Sequence, residues 1–219
     1  MRTCCFFILL ITASLHAQVP SIDSLQRAVQ QVPPGKDHVD LLNQISFAYS
    51  RLSLEKAEQT AITALEMAIQ FSYDKGIGDS YNNQAICHAI KGDYTSALEL
   101  FIKALRLREQ TGDVLGAAGT TNNIAGIFLY HKEYDKAIEY SLQSLQLVKE
   151  KLKDQRAEGN SYVALGMIYD HKQDSARAFD YFHQARHIFH DLKLKPDEGK
   201  AWLKISNLQE KYGFHDLAL

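Results

Sequence analysis

Apolar residues in this chain recur at the spacing of an amphipathic helix, and this pattern is itself repeated about every forty residues. In one block, Ile124, Ala125 and Phe128 fall on one helical face. A polar break follows at residues 131–133, and a second apolar face begins at Ala137. Each block therefore predicts two antiparallel helices joined by a tight turn.

Five alanines mark the repeat at intervals of 40, 40, 41 and 40 residues: Ala57, Ala97, Ala137, Ala178 and Ala218. Self-similarity at such a period is typical of a solenoid, in which each unit buries its apolar face against its neighbours. The alanines predict close helix crossings, since a small side chain lets two backbones approach. In two of the polar breaks, Asp93 and Asp174 are expected to cap the following helix.

The repeated residues resemble the tetratricopeptide repeat, whose signature is an aromatic, Leu-Gly and Tyr in the first helix and Ala, Phe and Ala in the second. The fourth block matches at Tyr162, Leu165, Gly166, Tyr169, Ala178, Phe182 and Ala185. The third departs from it, because Ser141 and Ser144 replace Phe and Ala. The resemblance covers about residues 37–219 and implies an all-α, right-handed α-solenoid of stacked antiparallel helix pairs.

The two ends of the chain differ from the repeats. Residues 1–17 combine one basic residue, an apolar stretch and a terminal Ala17, which predicts a secretory signal peptide; a buried N-terminal helix is the alternative. Residues 18–36 are predicted to hold a capping helix over Ser21–Gln31 and a linker. Residues 37–219 then form about five units, of which the last is truncated or, alternatively, ends the array as a cap.

Composition excludes several classes of function. A formal net charge of −2, without any Lys/Arg run, argues against nucleic-acid binding. Removal of residues 1–17 would leave Cys87 as the sole cysteine, so we expect no internal disulfide and a core role for this thiol. Phosphate-loop, nucleophile-elbow and HExxH motifs are absent from the sequence, which predicts neither an enzyme nor a cofactor.

The resemblance places ligand binding in a concave groove lined by the first helices. An asparagine offers both a donor and an acceptor, so a row of them can hold an extended peptide backbone. The alternative is that one asparagine of each Asn-Asn pair only bonds the neighbouring helix. The predicted groove residues are Asn43, Asn82, Asn83, Asn122, Asn123, Tyr130, Asn160, Asp170 and His171.

Three histidines on the second helix of the fourth block have a spacing that invites comparison with a metal site. His183 and His187 have the i, i+4 spacing that can hold zinc, but His190 at i+7 lies too far along the helix. No acidic residue stands at a suitable spacing, so we interpret them as a solvent-exposed face and predict no metal.

Two functions from different classes fit these observations. The first is an exported, periplasmic or periplasm-facing scaffold that binds a protein or peptide and carries no chemistry of its own. The second follows from a resemblance to the exported sensory arrays of bacterial signalling proteins. It implies an input domain, with a transmembrane helix and a histidine kinase or LuxR-type module encoded beyond Leu219. An enzyme within these residues is the third and least supported class.

Export gives a direct prediction. Protein purified from the native cell should begin at or near Gln18, because the signal peptide is removed after Ala17. N-terminal sequencing or intact mass measurement tests this. An intact Met1 on a cytoplasmic protein would contradict the predicted localisation.

Overall fold

A computed structural model describes residues 21–213, and all regular secondary structure in this range is helical. The predicted signal peptide and Ala218 lie outside the described residues. The helices are α1 (Ile22–Gln31), α2 (Lys36–Tyr49), α3 (Leu54–Gln70), α4 (Asp74–Lys91), α5 (Tyr94–Thr111), α6 (Val114–Tyr130), α7 (Tyr134–Leu147), α8 (Gln155–His171), α9 (Ser175–Asp191) and α10 (Lys195–Tyr212). A π-helical turn, Val148–Leu152, follows α7.

The described residues fall into two compact bodies, the N-terminal body (21–120) and the C-terminal body (121–213). In the N-terminal body, α2 packs on α3 and α4 packs on both α3 and α5. In the C-terminal body, α8 packs on α7 and α9, and α10 packs on α9. Short turns join consecutive helices into antiparallel pairs, so the predicted all-α solenoid class is confirmed.

The helix expected over Ser21–Gln31 is present as α1. The side chain of Ser21 accepts a hydrogen bond from the backbone N–H of Ser24 at 3.1 Å, which caps the first turn. The helix packs on α2, with Leu25 buried and Gln26 Nε2 donating to Tyr49 Oη at 2.8 Å.

Helices cross closely at the repeated small residues. Ala57, Ala97, Ala137 and Ala178 are all 0% exposed. A Cβ atom on Gly166 would lie 2.7 Å from Cε1 of Phe182, so only glycine lets this ring lie against α8. These contacts confirm the crossings predicted from the repeat.

From α3 onward, the turn before the next helix contains either a glycine or another residue in a left-handed conformation, and Gly213 follows α10 in the same way. Asp93 and Asp174 cap the next helices, accepting from backbone N–H groups at 3.2 and 3.1 Å as predicted. Positive φ values stop the preceding helices and satisfy their last carbonyls. They occur at Ser72, Gly92, Gly112, Lys132, Lys153, Gln173, Lys193 and Gly213.

The single 41-residue interval coincides with the π-helical turn. Counted from the residue numbers, α6 begins 17 residues after Ala97, whereas α8 begins 18 residues after Ala137. A π-helical turn accommodates one more residue than an α-helical turn. The turn at Val148–Leu152 thus absorbs the extra residue and brings α8 back into the register of the repeat.

The environment of Cys87 on α4 fits the predicted core role. Cys87 is 1% exposed, and burial raises the pKa of its thiol to about 11.

The last described helix, α10, has one buried and one exposed face. Ala201, Ile205 and Leu208 are buried. Trp202 is 46% exposed and lies against the guanidinium of Arg186, with Cζ 4.8 Å from the ring centroid.

The crossing in the third repeat can be tested by overpacking. Ala137→Leu should lower the free energy of unfolding by about 1–3 kcal/mol, since the side chain has no space at the helix crossing. His187→Ala is the matched control and should stay within about 0.5 kcal/mol, because that side chain is exposed. Urea unfolding followed by circular dichroism measures both. A larger effect from His187→Ala would contradict the helix placement.

Candidate binding surfaces on the first helices

Asn43 and Asn83 form a buried hydrogen-bond ladder between α2 and α4. Asn83 Nδ2 donates to the backbone O and to Oδ1 of Asn43 at 2.9 and 3.1 Å. Asn43 Nδ2 donates to Gly76 O at 3.2 Å, and Ser80 Oγ donates to Asn43 Oδ1 at 3.1 Å. Asn43 and Asn83 are 6% and 7% exposed, so these amides match the alternative in which they bond neighbouring helices.

Asn82 lies in a different environment, although it is the next residue along α4. It is half-buried, and its Oδ1 accepts a hydrogen bond from Thr120 Oγ1 at 3.3 Å. Thr120 in turn accepts from Nη1 of Arg108, a residue only 6% exposed. The same guanidinium donates to Gly116 O at 2.8 Å and to Asp79 Oδ1 at 2.5 Å. Sequence reasoning missed Arg108, because the contacts that define it come from two neighbouring helices.

A partly exposed charge cluster continues from Asp79. Lys75 Nζ lies 3.0 Å from Asp79 Oδ2 and 3.2 Å from Asp40 Oδ1, and Tyr73 Oη donates to Asp40 Oδ1 at 3.0 Å. Burial, followed by the hydrogen bond to Asp40, raises the pKa of Tyr73. Burial alone would lower the pKa of Lys75, but the two carboxylates outweigh it and raise that pKa, so the ammonium stays charged.

In the C-terminal body, the predicted asparagines differ in accessibility. Asn122 is 5% exposed, and its Oδ1 and Nδ2 find no hydrogen-bond partner within residues 21–213. Ser141, which stands where Phe182 stands in the next repeat, is also buried without a partner in this part of the chain. Asn123 and Asn160 are half-buried, so they are more accessible than Asn122.

An exposed row of polar side chains lies at one repeat position near the C-terminal ends of α6, α8 and α10. Its members are Tyr130, His171 and Lys211, spaced by 41 and 40 residues. Tyr130 is 57% exposed, His171 is exposed and the Lys211 side chain is 49% exposed. Lys211 was not among the predicted residues, although its interval from His171 was a signal that could have found it.

Asp170, which precedes His171 on α8, contacts two residues of α10. Its Oδ1 lies 2.6 Å from Lys211 Nζ and accepts from Tyr212 Oη at 3.3 Å. The hydrogen bond to Asp170 raises the pKa of Lys211, which therefore stays protonated. The C-terminal ends of α8 and α10 thus present an ordered, charged pair of side chains.

The three histidines of α9 have separate partners. His183 stacks on Phe179 and is half-buried, and burial followed by the charge of Arg186 lowers its pKa. His187 Nδ1 lies 3.0 Å from Asp191, and His190 Nδ1 lies 2.9 Å from Glu198 in α10. The exposed face predicted for all three thus holds only for His187 and His190. Across residues 21–213, no three side chains of His, Cys, Asp or Glu are grouped to hold a metal ion.

This arrangement defines a helical-repeat scaffold with accessible polar side chains on its first helices. Two sequence models described as "Tetratricopeptide repeat" match residues 116–189 and 78–111. The chain belongs to the tetratricopeptide repeat family, and the predicted resemblance is confirmed. No curated protein matches the sequence significantly.

Solved structures share the fold at low sequence identity. BtubC (BKLC) from P. vanneervenii is similar with a TM-score of 0.69 and 20% identity, over 88% of this chain and 80% of that one. A Signal Transduction ATPase with Numerous Domains with a tetratricopeptide repeat sensor, from Pyrococcus horikoshii, gives 0.67 and 22%, over 84% and 29%. A Rap protein complexed with Competence and Sporulation Factor gives 0.59 and 20%, over 87% and 58%. The chain therefore spans only part of the last two proteins.

The asparagine ladder can be tested separately from binding. Asn83→Ala should lower the free energy of unfolding by about 1–3 kcal/mol, because buried Asn43 loses the two hydrogen bonds that Asn83 Nδ2 donates to it. Asn160→Ala, at a half-buried position, should change it by no more than about 0.5 kcal/mol. Chemical unfolding compares the two. Equal effects would show that the ladder does not hold α2 to α4.

Proposed function

We propose that this chain is a protein-interaction scaffold that binds an extended peptide or protein segment along its first helices, with no catalytic step of its own. Tyr130, His171 and Lys211 form the contact row in the C-terminal body, and Asn82 is a separate candidate contact in the N-terminal body. Asn123, Asn160 and Asp170 support the same surfaces. Asn43, Asn83 and Asn122 do not enter the proposal as ligand contacts, because they are buried.

The observation that carries this proposal is the exposed row of Tyr130, His171 and Lys211. Residues at one repeat position recur at the separation of successive repeats, and an extended segment can contact such positions one after another. The row offers a phenol, an imidazole and an ammonium, which can hydrogen-bond to main-chain carbonyl and carboxylate oxygens. Each contact is worth only about 0.5–1.5 kcal/mol net, so affinity depends on several contacts made together.

The comparisons support a binding role at the level of the fold. The similar Rap protein was solved with Competence and Sporulation Factor bound, so an array of this kind can hold a partner. Buried helix crossings hold the repeats of each body, while Tyr130, His171 and Lys211 remain exposed on the first helices. Protein or peptide partners are therefore the ligands that this surface suits best.

An input role in signalling is the second candidate. It is favoured by the likeness to a signal-transduction protein whose tetratricopeptide repeats are named as its sensor. Under this proposal the array is exported by the predicted signal peptide and binds the stimulus outside the cytoplasm. No helix within residues 21–213 has both the length and the apolar character to cross a membrane.

The gene beyond Leu219 separates the two candidates. The input-domain proposal predicts an apolar run of about twenty residues downstream, followed by an output module. Sequencing the locus tests this directly. A stop codon after Leu219 would contradict the input-domain proposal and leave the scaffold proposal in place.

Binding can be tested with peptides selected on the purified full chain from a random library displayed on phage. His171→Ala combined with Lys211→Ala should weaken the selected peptide about tenfold or more, equivalent to about 1.4 kcal/mol. His187→Ala, exposed on a second helix, is the control and should bind as the unaltered chain does. Calorimetry measures each affinity.

Failure to enrich any peptide would contradict the proposal. It would also be contradicted if His187→Ala weakened binding while the first-helix variants did not, since that would place the site on the second helices. Circular dichroism confirms in each case that the variant keeps its helical content.

A further inference from the structure

One position at the helix crossing sets the third repeat apart from its neighbours. In the fourth repeat, Gly166 on the first helix meets Phe182 on the second, and a Cβ atom on the glycine would lie 2.7 Å from the ring. Counted by the repeat intervals, the equivalent buried pairs are Ile45 and Ala61, Ala85 and Phe101, and Ala125 and Ser141. Among these four repeats, the third is the one without a large side chain at this position.

The third repeat also buries polar groups at apolar positions. Ser141 is 1% exposed and Asn122 is 5% exposed, and neither the hydroxyl nor the amide has a hydrogen-bond partner within residues 21–213. At the position of Asn122 the fourth repeat has Val163, which is half-buried and packs against the apolar core. A polar group that loses its hydration without gaining a hydrogen bond lowers stability, so both residues weaken the packing of their repeat.

Aromatic stacking joins the two helices of the third and fourth repeats to different extents. In the third repeat, Phe128 stacks on one ring of α7 with centroids 5.3 Å apart. In the fourth, Tyr181 stacks on two rings of α8, those of Tyr169 and Tyr162, at 5.4 and 5.9 Å. Thr121 stands at the position of Tyr162, so the third repeat has no ring for the second stack.

We infer that the third repeat is a locally labile unit of the C-terminal body, in which α7 and residues 121–130 of α6 open while the fourth repeat stays folded. A region with less apolar burial and with buried groups that lack partners opens at a lower free energy than a better-packed neighbour. The three observations above converge on this repeat from a missing large side chain, two buried polar residues and a shorter aromatic stack.

The exposed row of polar side chains connects this unit to ligand binding. Tyr130 lies on the unit that opens, whereas His171 and Lys211 lie on α8 and α10, outside it. A segment bound to all three residues contacts the unit in its closed state, so binding shifts the population toward closure. This step rests on the proposed function.

Hydrogen exchange of the full chain, resolved amide by amide in NMR spectra, tests the local opening. The amides of residues 137–145 in α7 should exchange at least about tenfold faster than those of residues 178–186, their equivalents in α9. Equal or slower exchange of residues 137–145 would overturn the inference.

Two substitutions that copy the neighbouring repeats should close the unit. Asn122→Val introduces the residue of the fourth repeat, and Ser141→Phe reproduces the second repeat, in which Ala85 and Phe101 are both buried. Each variant should slow exchange in the middle of α7 by about tenfold and leave the middle of α9 unchanged.

Asn160→Val on α8 is the matched control, since it makes the same kind of change at a half-buried position outside the unit. It should leave the exchange of α7 as it is in the unaltered chain. Faster exchange of α7 in Asn122→Val would show that this amide is hydrogen-bonded in solution and would overturn the inference. This variant decides the matter if Ser141→Phe fails to fold.

The phage-selected peptide tests the coupling to binding. At saturation it should slow the exchange of residues 137–145 by about tenfold or more beyond any change in residues 178–186. If the third repeat exchanges fast but the bound peptide leaves it unchanged, the coupling is overturned and the scaffold proposal stands. If no peptide is selected, the scaffold proposal fails, and exchange in the unliganded chain still decides whether the third repeat is labile.

Discussion

The structure of each body depends on the contact between the two helices of a repeat, where a fully buried alanine of the second helix packs against the first helix. Ala97 and Ala178 have no exposed surface, and in the fourth repeat the ring of Phe182 lies against Gly166 at a distance that excludes any Cβ atom. Protein interiors are close-packed, so such a contact fixes the rotation of each helix about its axis. That rotation decides which side chains of the first helix are buried and which remain accessible to a ligand.

The pair Asn82 and Asn83 illustrates this consequence. Successive residues of an α-helix point about 100° apart, so two adjacent asparagines cannot share one environment. Asn83 is turned toward α2 and bonds Asn43, whereas Asn82 is turned toward Thr120 on α6. One amide holds neighbouring repeats together, and the other stays half-buried at the surface.

Much of the fold was predictable because it depends on local and periodic signals. Helix pairs, turns and the caps at Asp93 and Asp174 follow from spacing and turn chemistry within a few residues. The 41-residue interval was visible, but its cause, a π-helical turn, depends on packing of the third repeat. The Arg108 network was not predictable, because its partners on α4 and α6 are brought together only by tertiary structure.

Arg108 shows how one polar side chain holds a helix where other repeats use apolar packing. The residues at its repeat position are Ala68, Val148 and Phe189, all buried. Burying a guanidinium is costly unless its N–H groups are paired. Its partners lie on the two neighbouring first helices, Asp79 on α4 and both Gly116 and Thr120 on α6. Hydrogen bonds from one side chain therefore hold α5 to α4 and to residues 114–120 of α6, in addition to apolar packing.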